Sequence, residues 1–370
     1  PSTAENTTTN TKTKPQSIRN LRGFLDMVNW RAIYGLNLGK GTITQAADEA
    51  AFVAKTLGDR LICFQIGNEA DLYCHNGLRP KTYAYADFAR DWRKIHDAVK
   101  ARVPGARFAG PDTAGTGSWV EEFAQQFGSD VMLLSTHYYA EGPARDSSMN
   151  IERLLRPNPK WEDAVAKIRR AMEESKLPYR LTETNSCYGG GKAGVSNTFA
   201  SSLWALDLML QLCAAGGSGI NFHGGGYGWY APIVGTPENG FVARPEYYAM
   251  LVASRLAGSR IIGSHLDVTD ANPLFVAYAF KDAQEKVKTV ILNKDAGKNL
   301  RLTIAGRAQR VSVQRLISPR LDDEQDTTFG GASVGGDGAW KATHVEHAHT
   351  ANGSAECLIP AGSAALFELD

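Results

Sequence analysis

The stretch "FQIGNEADLY", from Phe64 to Tyr73, decides the fold because it places a carboxylate directly after a short buried strand. Apolar and β-favouring residues lead into Gly67, Asn68 and Glu69. In a parallel β/α barrel the active site lies at the carboxyl ends of the strands, where such a residue faces a pocket. A solvated loop residue would explain a single glutamate equally well, so the other strand ends have to be compared with this one.

Helical and strand-like segments alternate on both sides of this stretch. The helical pattern "TQAADEAAFVAKTLG" leads to "LICFQIGNE", and the same order recurs along the chain. A second helix is predicted from Thr82 to about Arg102, with the apolar residues Phe88, Trp92, Ile95 and Val99 on one face. The six strand-like runs are "AIYGLNLG", "LICFQIGNE", "ARFAGPDTAG", "VMLLSTHYY", "YRLTETNS" and "GINFHGGG". Strands separated by helices predict an α/β fold with a parallel sheet, of the barrel or doubly wound type, over residues 17–258. Residues 1–16 lack periodicity and are predicted to be a flexible tail or loop.

The pattern changes from residue 259. Short β-type runs, among them "LFVAYAFKD", "VKTVILNKD" and "SAALFELD", are separated by Gly, Asn, Asp and Pro, with no helical pattern between them. Residues 259–370 are therefore predicted to form an antiparallel β-sandwich domain.

Composition excludes several classes of protein. Hydrophobic residues make up 43% and charged residues 21% of the 370, and 40 Lys and Arg against 39 Asp and Glu give a net charge of +1. That balance offers no basic field for nucleic acid, and no apolar run reaches the roughly 18 residues that a membrane span needs. The five cysteines include no Cys-x-x-Cys pair, which argues against zinc. We expect no cofactor, nucleic-acid partner or membrane partner.

Polar residues concentrate at the predicted strand ends. Glu69 ends one strand and Glu183 another, while His137, Tyr139 and His223 follow two more. Capping of a strand or helix would explain any one of these residues alone. Together they are expected to face one pocket at the carboxyl end of the barrel.

Two glutamates on facing strands supply the pair that glycoside hydrolysis needs, one to protonate the leaving oxygen and one to attack or to activate water. Asn68 is placed to bind the hydroxyl beside the anomeric carbon, and His and Tyr to keep the second carboxylate ionised. A metal site is the alternative, but no His-x-x-x-His and no closely spaced acidic pair supports it.

The motifs "YGLNLG", "QIGNE" and "LTETNSCYGGG" resemble those of the heparanase and β-glucuronidase family of retaining glycosidases, glycoside hydrolase family 79 of clan A. The resemblance implies a (β/α)8 TIM barrel with a C-terminal β-sandwich. It makes Glu69 the acid/base after strand four and Glu183 the nucleophile on strand seven. On that count barrel strands one and two are missing from this numbering. The resemblance implies that an N-terminal segment, separate or absent here, supplies them.

The resemblance also suggests a substrate. Tyr188 and the backbone N–H groups of Gly189 and Gly190 resemble a pocket for a uronic-acid carboxylate, with Tyr230 similar to its second tyrosine and His223 beneath it. A flexible loop, or aromatic residues that stack on sugar faces, would explain the same residues.

The sequence therefore predicts a retaining exo-β-glucuronidase acting on terminal β-linked glucuronic acid. The compartment stays open, with a secreted, periplasmic or lysosomal location favoured over the cytoplasm. One alternative is an endo-acting, heparanase-like enzyme on sulfated glycosaminoglycans, which would need a basic cleft. The other is a non-catalytic carbohydrate-binding barrel.

Overall fold

The computed structural model describes residues 13–115, 118–225, 228–263, 272–305, 310–349 and 354–369. Helices and strands alternate in its first part, as the apolar periodicity predicts. The strands there are β1 (Ala32–Leu36), β2 (Leu61–Ile66), β3 (Phe108–Thr113), β4 (Leu133–Glu141), β5 (Tyr179–Cys187) and β6 (Ile220–Phe222). The helices are α1 (Pro15–Val28), α2 (Ile43–Leu57), α3 (Tyr85–Arg102), α4 (Val120–Phe127), α5 (Ile151–Leu155), α6 (Pro159–Ser175), α7 (Phe199–Ala214) and α8 (Pro245–Ser254).

The six strands form one parallel sheet in sequence order, β1-β2-β3-β4-β5-β6. This confirms an α/β fold with a half-barrel parallel sheet. Strands joined by helices run parallel, so their carboxyl ends meet at one edge, and this edge carries the polar residues singled out in the sequence.

Helix α3 illustrates how apolar residues at helical spacing pack a helix against the sheet. Phe88, Trp92, Ile95 and Val99 recur at helical spacing, and all four side chains are buried. They form part of the core cluster that also contains Phe108 of β3. The apolar stripe read from the sequence is therefore the face that packs on the sheet.

The N-terminal boundary differs from the prediction. Helix α1 begins at Pro15, inside the predicted tail, because proline is favoured in the first turn, where its missing N–H costs nothing. Residues 1–12 of that tail lie outside the described part of the chain.

The described strands after α8 are β9 (Arg260–Ile262), β10 (Phe275–Lys281), β11 (Val287–Asn293), β12 (Leu300–Ala305), β13 (Arg310–Ile317), β14 (Thr328–Phe329), β15 (Glu346–His349), β16 (Ser354–Ile359) and β17 (Ser363–Leu369). They form two antiparallel sheets. A seven-stranded sheet has the order β14-β13-β17-β11-β10-β9, with β15 beside β13, and β12 pairs with β16. Apolar residues of both sheets share one cluster, which includes Ile291, Leu302 and Phe367. The domain boundary at residue 259 remains a prediction.

A buried ion pair joins the two regions. Lys294, which follows β11, donates to Asp207 of α7, and Tyr278 of β10 donates to the same carboxylate at 2.6 Å. The side chains of Lys294 and Asp207 are each 5% exposed. Removing one partner of such a pair leaves a buried charge alone, so this contact fixes the β region against α7.

A short hairpin, β7 (Ile233–Thr236) with β8 (Gly240–Ala243), separates β6 from α8 and was not predicted. None of the helices in the described ranges is both long and apolar enough to cross a membrane.

Candidate active site

Glu69 lies just beyond the end of β2, in a left-handed backbone conformation with φ of 52°. Its backbone N–H donates to the carbonyl of Asp112 at 2.9 Å, which ties the loop after β2 to β3. The side chain is 27% exposed, so the carboxyl group is held in place yet open to the mouth of the half barrel.

Glu183 lies on β5 and receives hydrogen bonds from two neighbouring elements. The Tyr139 hydroxyl of β4 donates to its Oε1 at 2.7 Å, and His223 Nδ1, just after β6, lies 3.3 Å from the same oxygen. His223 Nδ1 also lies 2.5 Å from the Tyr139 hydroxyl and 3.2 Å from that of Tyr230. These groups fix the direction in which Glu183 faces.

His137 lies between the two glutamates. Its Nδ1 is 3.0 Å from Glu69 Oε1 and 3.9 Å from Glu183 Oε2. One ligand atom from each of the three residues lies within 4.8 Å of the others, so carboxylate oxygens of Glu69 and Glu183 approach that closely. For comparison, the two carboxyl groups are roughly 5–5.5 Å apart in retaining glycosidases and roughly 6.5–9.5 Å apart in inverting ones.

The surroundings set the charges of these groups. Burial alone would raise the pKa of Glu183, but the hydrogen bond from His223, the charges of His137 and His223 and the Tyr139 hydroxyl lower it to about 2. Burial alone would lower the pKa of His137, but hydrogen bonds to Asp112 and Glu69 and the charges of Asp112 and Glu183 raise it to about 10. At neutral pH, Glu183 is therefore an ionised carboxylate and His137 an imidazolium.

The group of Glu69, His137 and Glu183 is close enough to hold a metal ion, so its donors must be considered. His137 has Nδ1 directed at Glu69 and Nε2 at Asp112, each at 3.0 Å. A protonated ring nitrogen has no lone pair to offer a metal, and both nitrogens of an imidazolium are donors. Both ring nitrogens of His137 already face carboxylates, so a metal ion at this group would have to displace one of these hydrogen bonds.

A cavity of about 420 Å³ opens at this end of the sheet. Glu183 and His137 line it, together with Asn68 from the loop after β2 and Leu38 from the segment after β1. Asn68 is exposed, as a side chain that meets a substrate hydroxyl has to be.

The residues predicted to bind a uronate lie together beside Glu183. The Tyr188 ring contacts that of Tyr139 edge-on at 6.2 Å, and the Tyr230 and His223 rings are 5.5 Å apart. The backbone carbonyl of Gly190 accepts from the Trp229 N–H at 2.6 Å, so the loops after β5 and β6 are joined.

Those loops require glycine. Gly189 and Gly190 have φ of 87° and 93°, values that favour glycine strongly. The ammonium of Lys192, in the same loop, donates to the backbone carbonyl of Asp146.

Sequence reasoning missed Asp112, which is 5% exposed at the end of β3. Its Oδ1 accepts from Gln65 at 2.5 Å, from Thr182 at 2.7 Å and from the ring of His137 at 3.0 Å. "AGPDTAG" carries the same signal as the other strand ends, a carboxylate after a buried run, and was not included among them.

It also missed Glu246, which lies beneath the site and pairs with Asn185 at the end of the Glu183 strand. Asn185 Nδ2 donates to the His223 carbonyl at 2.9 Å and to buried Glu246 Oε1 at 3.2 Å. Burial raises the pKa of Glu246 well above its ordinary value. Glu246 lies in α8, far along the chain from β5, so no local sequence signal joins them.

A parallel β/α sheet with two carboxylates at one edge, one after β2 and one on β5, flanked by histidine and tyrosine, is the arrangement of a glycoside hydrolase. The family model described as "Glycosyl hydrolase family 79, N-terminal domain" matches residues 29–210, and "Glycosyl hydrolase family 79 C-terminal beta domain" matches residues 277–366. The chain belongs to glycosyl hydrolase family 79.

Three similar proteins are informative. A β-glucuronidase of Neurospora crassa is 25% identical over 88% of this chain and 65% of its own length. One of Aspergillus niger is 28% identical over 66% of this chain and 51% of its own. The chain thus spans between half and two thirds of these relatives. The crystal structure of a 4-O-α-L-rhamnosyl-β-D-glucuronidase from Fusarium oxysporum superposes with a TM-score of 0.76 at 20% identity, covering 95% of this chain and 79% of that one. That likeness shows the fold.

Proposed function

We propose that the protein is a retaining exo-β-glucuronidase that releases terminal β-linked glucuronic acid from glycans or glycoconjugates. The observation that carries the proposal is the close approach of Glu69 and Glu183, within 4.8 Å, beside the loops of Tyr188, Gly190 and Tyr230. The two fungal relatives that bear the name β-glucuronidase support the same substrate class.

The first step forms a covalent intermediate. A carboxylate oxygen of Glu183 attacks the anomeric carbon while the bond from that carbon to the glycosidic oxygen breaks, and Glu69 gives its proton to the departing oxygen. The products are a glucuronyl ester on Glu183, a free alcohol and an ionised Glu69. The hydrogen bonds from Tyr139 and His223 keep Glu183 ionised beforehand.

The second step returns the enzyme to its starting state. Ionised Glu69 takes a proton from water, the water oxygen attacks the anomeric carbon, and the ester bond to Glu183 breaks. Two displacements retain the β configuration. Asn68, which lines the cavity, would hold the hydroxyl next to the anomeric carbon.

The substrate carboxylate has a suitable binding region. Tyr188 is 47% exposed and lies against Tyr139, which contacts the nucleophile. Phenol and backbone donors on a glycine-rich turn can bind an anion without an arginine. We therefore place the uronate carboxylate against Tyr188, Gly189 and Gly190, with Tyr230 on the far side.

The substrate preference is tested by kcat/KM on p-nitrophenyl β-glucuronide against the β-glucoside and β-galactoside. We expect the glucuronide to be preferred at least about 100-fold, because a site built for a carboxylate leaves donors unpaired with a neutral sugar. Tyr188→Ala should narrow this preference for the glucuronide, whereas Phe24→Ala, which removes an aromatic ring that is 48% exposed on α1, should not.

Each other outcome has a distinct meaning. If a neutral glycoside were hydrolysed as well as the glucuronide, the proposed carboxylate pocket would be rejected, whereas the two-glutamate mechanism would still hold. Cleavage of a sulfated glycosaminoglycan chain alone would favour the endo-acting alternative. Binding of glucuronides with no hydrolysis would favour a carbohydrate-binding barrel.

We further propose that two more parallel strands complete a (β/α)8 barrel between β1 and β6. In the described part of the chain, β1 and β6 are the edge strands of the parallel sheet, and proteins rarely leave open edges of that kind uncovered. Hydrogen exchange of the active protein should show the outer amides of β1 as protected as those of β3. Rapid exchange along β1 in active enzyme would contradict closure.

A further inference from the structure

The strongest feature that the mechanism above does not use is Asp112. It lies at an irregularity of the sheet: Pro111 pairs with Ser135 and Thr113 with Thr136, so Asp112 is left between two paired positions. Its φ of 60° is left-handed. A bulge re-aims a side chain, and here it directs the carboxylate into the centre of the half barrel.

Asp112 touches every strand that carries the catalytic pair. Its backbone carbonyl accepts from Glu69 N–H, and its side chain accepts from Thr182, the residue before Glu183. Gln65 of β2 donates to the same carboxylate, and His137 of β4 lies 3.0 Å from it. One buried carboxylate therefore organises β2, β4 and β5 from β3.

We propose that Asp112 is a positioning residue: its carboxylate fixes the ring and the proton of His137, so that Nδ1–H stays directed at the Glu69 carboxyl group. Among the described residues, the charged or titratable groups near His137 also include Glu69 and Glu183, with His223 and Tyr139 on the far side of Glu183. Three acidic groups around one imidazole favour its charged form. Of the three acidic groups, Asp112 alone takes no part in breaking or forming a bond to the sugar. Its carboxylate can therefore hold the proton on His137 throughout the catalytic cycle.

The first test reads the proton itself and needs no substrate. Titration of the histidines by NMR in the full-length protein, with His137→Gln as the assignment control, should show His137 protonated at pH 8. In Asp112→Asn its titration should move to lower pH, toward the ordinary value of about 6.5. Thr182→Val, which removes another hydrogen bond to the same oxygen but keeps the charge, should leave that titration in place.

The second test reads the use of the proton and rests on the proposed function. Asp112→Asn should slow hydrolysis of phenyl β-glucuronide by about 100-fold, the cost of a misplaced acid. It should slow 2,4-dinitrophenyl β-glucuronide far less, because that leaving group needs little protonation.

Neutral His137 in the wild type at pH 8 would overturn the inference even if Asp112→Asn failed to fold. So would an unchanged His137 titration in Asp112→Asn, a shift of equal size in Thr182→Val, or equal losses on both substrates. An inactive wild type would contradict the proposed function and leave the titration as the deciding result for Asp112.

Discussion

Glu183→Gln is expected to lose turnover of aryl β-glucuronides by roughly 10⁴-fold or more, because the amide oxygen cannot form the glucuronyl ester. The change is isosteric, and Gln can still accept from Tyr139 and His223, so the fold should be preserved. The measurement is kcat on p-nitrophenyl β-glucuronide, with circular dichroism to compare the folded states.

Glu173→Gln is the matched control, since Glu173 is exposed near the end of α6, where the chain enters the amino end of β5 rather than its carboxyl end. It should retain the activity of the wild type. A Glu183→Gln protein that turns over at a substantial fraction of the wild-type rate would remove Glu183 as nucleophile.

Glu69→Ala is expected to lose activity in proportion to how much acid the leaving group needs. For phenyl β-glucuronide the loss should be about 10²- to 10⁴-fold, the usual contribution of a general acid. For 2,4-dinitrophenyl β-glucuronide the first step needs no proton, so the intermediate should form and accumulate until water attacks it unassisted.

Addition of azide distinguishes loss of the Glu69 acid/base from general damage to the active site. It needs no deprotonation, so it should restore turnover of the dinitrophenyl substrate by Glu69→Ala and give β-glucuronyl azide. Glu183→Ala with azide should instead give the α-azide, because only one displacement occurs. Absence of rescue in Glu69→Ala, with the burst of dinitrophenol intact, would contradict the role of Glu69 as base.

Much of the fold followed from local patterns. The alternation of helical and strand-like runs predicted six parallel strands, and the apolar stripe of α3 predicted the face that packs on the sheet. The hairpin of β7 and β8 was missed because its strands are four residues long and largely exposed, with no alternation to detect. Strand β16 was missed because "SAECLI" reads as a strand only beside β12.

The site divides in the same way. Glu69 and Glu183 were found because each belongs to a clear strand-like run, and the structure brings them and His137 together. Asp112 owes its inward direction to a sheet irregularity, and Glu246 meets Asn185 only through tertiary packing. Such contacts depend on register and helix placement, which single-sequence patterns do not specify. The roles assigned to the predicted residues stay predictions.

The central claim is that Glu183 forms a covalent bond to a glucuronyl group, and mass spectrometry tests it most directly. The protein is treated with 2-deoxy-2-fluoro-β-glucuronyl fluoride, whose fluorine at C2 slows the second step more than the activated first step, and is then digested with protease. The account predicts one fluoroglucuronyl group, on the peptide that contains Glu183, and protection by free glucuronate. Labelling of another residue, or none by a protein that hydrolyses p-nitrophenyl β-glucuronide, would contradict it.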